Sequence, residues 1–387
     1  MTDAIVVSRV EVIAVEVDLG RDYRWSTGRY RKLSRVIVRM RSKDGATGIG
    51  LTSGQPLSTI VGLCRQMGEW LIGRDVSVPE VLASSLFATT VGTPVPAGAD
   101  RPGPFPCDPT SRGQIMAAIG ALDLAIWDLR GHCRGKSVCE LLGGVPGPVP
   151  AYASGGYYAD SGSEAEAIER EVAAYVEQGF SAAKIKIGGA DLAIDGERIA
   201  AARRVLGPGG RLMIDANCAY DMATAVEASR RFAVSDPFWF EEPLHWYEGA
   251  AGLADFARRV AVPLACGESE ITRFGARDLV DFGAVRYLQL NATRAGGLTE
   301  LVKAAGHART KGISIAPHHE PMIHAHIVAA TPGAFGVEIH ADAARDPFLF
   351  ELFDASDAIR DGHFHLSARP GFGFSIDENA LSRLRTG

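Results

Sequence analysis

The chain has 387 residues, 47% of them hydrophobic and 22% charged, with a formal net charge of -6 at pH 7. That balance describes a globular chain with ample core, and it excludes nucleic acid and an anionic membrane surface as expected partners. No run approaches the roughly 18 apolar residues that a spanning helix needs. The six cysteines (Cys64, Cys107, Cys133, Cys139, Cys218 and Cys266) are scattered, with no CxxC. They read as reduced core thiols of a cytoplasmic protein, not as a disulfide framework or a zinc site.

The opening segment, MTDAIVVSRVEVIAVEVDLG, alternates apolar and polar residues and carries acids, so it reads as a strand and not a signal peptide. A long loop follows, then LSRVIVRMRSKDGATGIG, in which KDG signals a hairpin turn. The loop itself, GRDYRWSTGRYRKLSR, is basic and aromatic. It reads either as a solvated hairpin or as a flap over a neighbouring mouth, where Arg24 and Trp25 would meet a polar, anionic substrate. Residues 57 to about 142 have a helical apolar period, interrupted by VGTPVPAGADRPGPFPCDPT and closed by Gly143-Gly144.

From Val149 the texture changes. Eight short apolar strands (VPAYAS, AAKIKI, RLMIDA, FWFEEP, PLACGE, VRYLQL, GISIAP and FGVEIH) alternate with amphipathic helical segments. This pattern predicts an α/β fold, a parallel β/α barrel of the TIM type. The Gly-rich tail RDGHFHLSARPGFGFSID is expected to leave the barrel and rejoin the N-terminal domain.

Barrel active sites lie at the C-terminal ends of the strands. Those ends carry Lys184 and Lys186, Asp215 and Asn217, Glu241 and Glu242, Glu268 and Glu270, Asn291, then His318, His319 and Glu320, and finally Glu338. Lys184 and Lys186 share one face of a strand that otherwise reads as core. Alone they could snorkel from an edge strand, but two buried like charges call for a compensating charge nearby. Asp215, Glu241 and Glu268 end three consecutive strands at spacings of 26 and 27 residues. Any one of them could be a helix N-cap. Three converging hard carboxylates without Cys or His suit Mg2+, which prefers oxygen ligands and leaves positions for a substrate carboxylate. A metal so placed stabilises the enediolate formed when the proton α to a carboxylate leaves, and a lysine with a lowered pKa can take that proton. Asn217 reads equally as a substrate contact or the start of a turn. His324 and His326 read as structural.

The motifs ALDLAIWDLRGHCRGKSVCELLGG, KIKIG, MIDAN, FEEPL, GESE, TRAGGLTE and APHHEPMIHAH occur in that order. With them the chain resembles the mandelate racemase subgroup of the enolase superfamily over nearly its whole length. The resemblance implies a modified (β/α)8 barrel (residues 129–357) under an α+β capping domain (residues 1–128), to which the tail (residues 358–387) returns. It implies Mg2+ on Asp215, Glu241 and Glu268, and a homo-oligomer acting on a small carboxylate. It makes Lys186 the general base with Lys184 its neighbour. His318 is the residue on the opposite substrate face, and Glu338 an acid that hydrogen-bonds the substrate carboxylate.

One position departs. Where the family usually has an Asp partner for the histidine, this chain has Asn291. An Asn oxygen can accept from an imidazole N–H but cannot balance an imidazolium. A racemase needs His318 as a base in one direction. A dehydratase needs it chiefly as an acid toward a β-hydroxyl. The reading is therefore a Mg2+-dependent acid sugar dehydratase. A racemase, epimerase or cycloisomerase, or a silent carboxylate-binding relative, stands as the alternative.

Overall fold

The computed structural model describes residues 4–91, 109–353 and 355–386. The N-terminal alternation forms β1 (Val7–Arg24), which pairs antiparallel with β2 (Arg29–Ser42), and β2 pairs with β3 (Thr47–Thr52). The segment expected to be a long loop is instead a continuation of this ribbon. Tyr23 pairs with Tyr30 and Arg24 with Arg29, and only residues 25–28 turn. The Tyr23 and Tyr30 rings stack at 5.7 Å, the kind of cross-strand aromatic pair that holds a ribbon together.

Helices α1 (Leu57–Leu71) and α3 (Arg112–Arg134) cover this sheet, and α2 (Pro79–Val91) packs on α3. Helix α3 is rich in small residues because β3 lies directly on it. A Cβ on Gly50 would fall 1.9 Å from the Ala121 carbonyl oxygen, and one on Gly48 would fall 2.3 Å from that of Ala125. The helix runs unbroken through residue 128 to a left-handed cap at Gly135, and it serves two cores. Ile126 and Leu129 pack in the capping core, whereas Leu124 and Trp127 pack in the barrel core.

After α4 (Val138–Leu141) the eight expected barrel strands all form: β4 (Pro148–Gly155), β5 (Ala182–Lys186), β6 (Arg211–Asp215), β7 (Trp239–Glu241), β8 (Leu264–Cys266), β9 (Tyr287–Leu288), β10 (Ser314–Ile315) and β11 (Val337–Ile339). They run parallel in chain order, and β11 returns to pair with β4. Helices α5 (Glu164–Glu177), α6 (Leu192–Leu206), α7 (Met222–Phe232), α8 (Gly249–Arg259), α9 (Arg273–Asp281), α10 (Leu298–Thr310) and α11 (Pro321–Ala330) connect them, and a π-helical turn at Phe348–Leu352 follows β11. The tail does not leave the barrel at once. Strands β12 (Ile359–Arg360) and β13 (His363–His365) form a hairpin in which β13 pairs antiparallel with β4. Only then does α12 (Glu378–Leu384) reach the N-terminal sheet, where Arg39 pairs with Glu378 and Arg385 bridges Val15.

Among the described residues, no helix is long and apolar enough to cross a membrane. Cys64, Cys139, Cys218 and Cys266 are buried thiols as expected, but Cys133 is exposed, and Cys107 lies outside the described residues with most of the Pro/Gly-rich interruption.

The period of two along each barrel strand sorts the side chains. Ile185, Ile214, Phe240 and Ile339 face outward into the helix layer. Tyr152, Ala182, Met213, Trp239 and Ala265 pack together inside and form the floor. Two positions further along β6 and β7 come Asp215 and Glu241, level with Lys186 of β5, so the charged layer sits on an aromatic floor.

Two buried histidines of α11 do the structural work expected of them. His326 Nδ1 accepts from the Cys139 N–H at 2.9 Å and Nε2 donates to the Phe372 carbonyl at 3.1 Å, which ties α4 and the tail to α11. Burial pushes its pKa down to about 4. Because the folded value lies below the unfolded one, the unfolded chain binds the extra proton. Stability from this group is complete above about pH 6.5 and falls as the pH drops toward 4. Urea unfolding should show the native protein losing about 3 kcal/mol more than His326→Gln across that window. Parallel pH curves for the two proteins would contradict this role.

Candidate active site

Parallel register assembles the site. Lys186 pairs with Asp215 across β5 and β6, and Asp215 pairs with Glu241 across β6 and β7. Neighbouring strands thus deliver an ammonium and two carboxylates at one level of the barrel mouth, and Glu268 follows β8. Lys184 lies one layer deeper and is wholly buried. Its Nζ is 2.5 Å from Glu241 Oε1, 2.8 Å from Glu338 Oε1 and 3.7 Å from Asp215 Oδ2. Burial works against its charge, but Glu241 and Glu338 outweigh that and hold its pKa well above the usual lysine value. Lys186 Nζ lies 2.5 Å from Asp215 Oδ2. Burial and Lys184 lower its pKa, but Asp215, Glu268 and Glu241 together raise it by more, so the net shift is upward. The lowered pKa expected for Lys186 from a second lysine together with the cation is not reached by the protein's own charges, because Asp215 is its direct partner.

The acids show the cost of crowding. Burial first, then repulsion from Glu242, raises Glu268 to about 7. Glu241 is also pushed up, by burial and by Asp215 and Glu338, against the pull of Lys184. Four carboxylates (Asp215, Glu241, Glu268, Glu338) face two ammoniums (Lys184, Lys186), which leaves a surplus of two negative charges in a buried place. Ligand oxygens of Asp215, Glu241 and Glu268 all lie within 4.8 Å of one another. Glu268 Oε2 is buried and has no hydrogen-bond partner: His318 Nε2 lies 3.3 Å away, out of alignment. An orphaned carboxylate oxygen, a hard oxygen donor set and a two-charge surplus fit a divalent cation of the Mg2+ type. Glu241 Oε2 accepts from Trp239 Nε1 and Gln289 Nε2, which fixes the ligand's orientation from below.

The histidine pair resolves into two roles. His318 faces the triad. His319 has left-handed backbone (φ 53) and is buried between Asp346 at 3.0 Å and Glu320 at 3.3 Å. Those two acids overcome burial and raise His319 to about 9. Arg35 closes this cluster with an ion pair to Glu320 at 3.0 Å. Although His319, His340 and Asp346 are close enough to share an ion, the charges of the cluster are already matched within the protein.

Asn291 is indeed the neighbour of His318, but through the other end of its amide. Asn291 Oδ1 accepts from the Thr293 backbone N–H and hydroxyl, both at 2.8 Å. Its Nδ2 therefore faces His318 Nδ1, at 3.1 Å, and donates to it. The expected acceptance by the Asn oxygen is corrected by Thr293, whose backbone N–H can only donate. His318 Nδ1 thus holds a lone pair, and the neutral ring carries its proton on Nε2, toward the site. Burial keeps its pKa well below the usual value.

A cavity of about 300 Å3 lies above these groups, at the small end of the usual range for ligand sites. Lys186, Asn217, Glu268 and His318 line it from the barrel, and Trp25, Tyr30, Leu33 and Arg35 from the ribbon. The ribbon tip is anchored to the barrel mouth: Ser26 Oγ donates to the Ala216 carbonyl at 2.7 Å. Asn217 also has left-handed backbone (φ 42), and its side-chain Oδ1 is buried without a partner, so it is both turn and open acceptor.

Two expectations are corrected. Arg24 does not line the cavity; it is exposed at the end of β1, and its Nη2 donates to the Ala159 carbonyl, whereas Trp25 in the turn does line it. Glu338 does not reach the cavity either. Its Oε1 is on Lys184 and its Oε2 accepts from the His319 N–H at 3.1 Å, so it positions Lys184 and the turn that carries the histidines. Sequence reasoning missed Arg345, Tyr157 and His340 in the cavity wall, and Arg198, which donates to the Lys186 carbonyl at 3.1 Å from complete burial. Arg345, Tyr157 and His340 sit on connections whose direction no periodicity signals. Arg198 sits on a helix face that reads as solvated.

A barrel mouth of this composition, roofed by a second domain, defines an enzyme that does acid–base chemistry beside a hard cation. The model described as enolase C-terminal domain-like matches residues 167–380, and that of the mandelate racemase/muconate lactonizing enzyme N-terminal domain matches residues 9–143. The chain belongs to this mandelate racemase-like branch of the enolase superfamily. It is 31% identical to arabinonate dehydratase of Saccharolobus solfataricus, over 71% of this chain and 74% of that one. It is 29% identical to D-galactarolactone cycloisomerase of Agrobacterium fabrum, over 98% of each. A solved racemase from Streptomyces coelicolor A3(2) with bound magnesium superposes with a TM-score of 0.86 at 26% identity, covering 98% of this chain and 100% of that one.

Mg2+ should raise the melting temperature, equivalent to about 2.7 kcal/mol at a hundredfold excess over its Kd. In Glu268→Gln, which removes the acid whose Oε2 has no hydrogen-bond partner, the metal-free protein should retain or gain stability while the Mg2+-induced shift collapses. An undiminished shift in that variant would place the cation elsewhere.

Proposed function

We propose that the protein is a Mg2+-dependent dehydratase of an acid sugar. It would remove the proton α to the carboxylate and the β-hydroxyl to leave a 2-keto-3-deoxy acid. The observation that carries this reading is the orientation of Asn291. With Nδ1 accepting from the amide, His318 presents a hydrogen, not a lone pair, to the cavity. A residue so set suits hydrogen bonding to a leaving oxygen and does not suit abstraction of a carbon-bound proton.

Asp215, Glu241 and Glu268 would hold the metal, which supplies the positive charge that favours loss of the proton next to a carboxylate. Lys186 is the base: it borders the cavity, whereas Lys184 is sealed beneath by Glu241 and Glu338. The α-proton passes to Lys186 Nζ and the C–H electron pair becomes the new double bond. The β-C–O pair leaves with the oxygen as hydroxide, which His318 holds with its Nε2 hydrogen bond; the hydroxide takes a proton from solvent, Lys186 returns the abstracted proton to solvent, and the net loss is one H2O. Tautomerisation of the enol places a proton on the β-carbon. Asn217 Oδ1 is placed to accept from a substrate hydroxyl.

The 98% coverage of a cycloisomerase supports a second reading. If the β-oxygen belongs to a ring, the same elimination opens the ring and no water is lost.

Incubation with aldonic and aldaric acids and Mg2+ in D2O, followed by NMR and mass spectrometry, decides. Formation of a 2-keto acid with loss of one water supports dehydration, whereas conversion of the corresponding lactones to isomeric 2-keto acids, with solvent deuterium on the β-carbon and no water lost, supports ring opening. Solvent exchange at the α-carbon with neither product would overturn both. Lys186→Ala should lower kcat by at least about 10³-fold, within the range of a lost general base. His318→Asn should slow elimination while α-proton exchange persists. Simultaneous loss of exchange and elimination in His318→Asn would make His318 a base instead.

A further inference from the structure

Arg345 lies in the connection after β11 and is buried, with 5% of its surface exposed. A buried guanidinium ordinarily has a carboxylate. Arg35, on the same cavity wall, has one in Glu320. Arg345 has no ion pair among the described residues. Its Nη2 donates to the Tyr157 hydroxyl, and its Nε has no hydrogen-bond partner. The rings of Tyr157, Tyr30 and Tyr23 surround it at 4.3, 5.8 and 5.9 Å. These faces favour a cation but leave the donor edge open. Arg345 lines the same cavity as Lys186, Glu268 and His318. The Tyr157 ring centre is 6.0 Å from Lys186 Nζ and 4.3 Å from Arg345 Cζ, so the two cations are separated by no more than about 10 Å. That is the reach of a short carbon chain.

We infer that Arg345, with Tyr157, is the subsite for a second carboxylate, at the end of the substrate away from the metal triad, and that the substrate is a diacid. The inference rests on the reading of the triad end as the place where the first carboxylate is activated. One unpaired buried cation matches the single charge of a carboxylate better than the double charge of a phosphate. A guanidinium offers that carboxylate two parallel donors, and such charged pairs discriminate strongly against a neutral hydroxymethyl terminus. Arg294, the other unpaired arginine of the cavity, is only half-buried and donates to Ser53 Oγ at 3.3 Å, so water can compensate it.

Arg345 and Tyr157 also border a neighbouring cavity of about 600 Å3, and the test separates the two sides. Calorimetric titration of the full-length protein with five- and six-carbon aldarates (galactarate and glucarate among them), the matching aldonates and 6-phosphogluconate is run with and without Mg2+. The expected result is that at least one aldarate binds the Mg2+-loaded protein about 10- to 100-fold more tightly than its aldonate. Arg345→Met should abolish that preference while leaving aldonate affinity within about threefold, and Arg345→Lys should keep part of it. The ligand-free melting temperature of Arg345→Met should equal or exceed that of the native protein, since an uncompensated charge is removed.

Equal or tighter binding of aldonates, tighter binding of 6-phosphogluconate, or no binding by any aldarate overturns the inference. So does an aldarate affinity that is the same with and without Mg2+, because that places the diacid in the neighbouring cavity, away from the triad. Binding is read without turnover. An Arg345-dependent aldarate preference without water loss would keep the subsite and remove the dehydratase reading. Dehydration of an aldonate with no aldarate preference would do the reverse.

Discussion

The mouth of this barrel depends on one buried ammonium. Lys184 joins β5 to β7 through Glu241 and to β11 through Glu338, across the interior. In a place without water, neither acid can lose this partner without leaving a stranded charge, a cost of several kcal/mol. The bridge therefore sets the positions of three strand ends. Lys186 and Asp215 sit one step higher, where register brings them together. The bridge satisfies only part of the negative charge, and the surplus makes the mouth a place for a divalent cation.

Around that bridge the interior is layered by polarity. Tyr152, Trp239 and Phe335 close the bottom with ring contacts of 4.9 to 5.9 Å and keep water out from below. The charged layer above opens to the cavity, and the ribbon from the capping domain lines that opening. Salt bridges and metal ligands gain strength where water is excluded, so floor and ribbon set the electrostatics of the site as much as the charged groups do. The same enclosure makes an unpaired group such as Glu268 Oε2 or the Arg345 guanidinium informative. A fold retains such a group at a cost, and cavity walls are where function can account for it.

The Asn291 amide shows how a single acceptor can set chemistry. Its oxygen is occupied by the Thr293 N–H, so its NH2 must meet His318. One backbone hydrogen bond, two residues from Asn291, thereby decides which ring nitrogen of His318 carries the hydrogen that faces the cavity. An Asp at this position would accept from the ring and favour the opposite tautomer.

Much of this was legible in the chain. Short apolar runs spaced by amphipathic helices determine a parallel barrel, because strands buried on both faces need continuous apolar sequence and crossovers need helices. Since parallel strands put their C-terminal ends at one mouth, Lys184, Lys186, Asp215, Glu241, Glu268 and His318 could be gathered from sequence without coordinates. Tertiary structure alone decided what depends on direction and on partners far along the chain. It turned Arg24 out and Trp25 in, extended the expected loop as paired strand, and spent both oxygens of Glu338 within the protein. It also brought in Arg345 and Tyr157 from separate connections. The physical reason is range. Periodicity reports which face of its own element a residue takes, and it works where the element is regular. Hydrogen-bond partners, cavity walls and uncompensated charges are relations between elements, and they exist only once the chain has closed on itself.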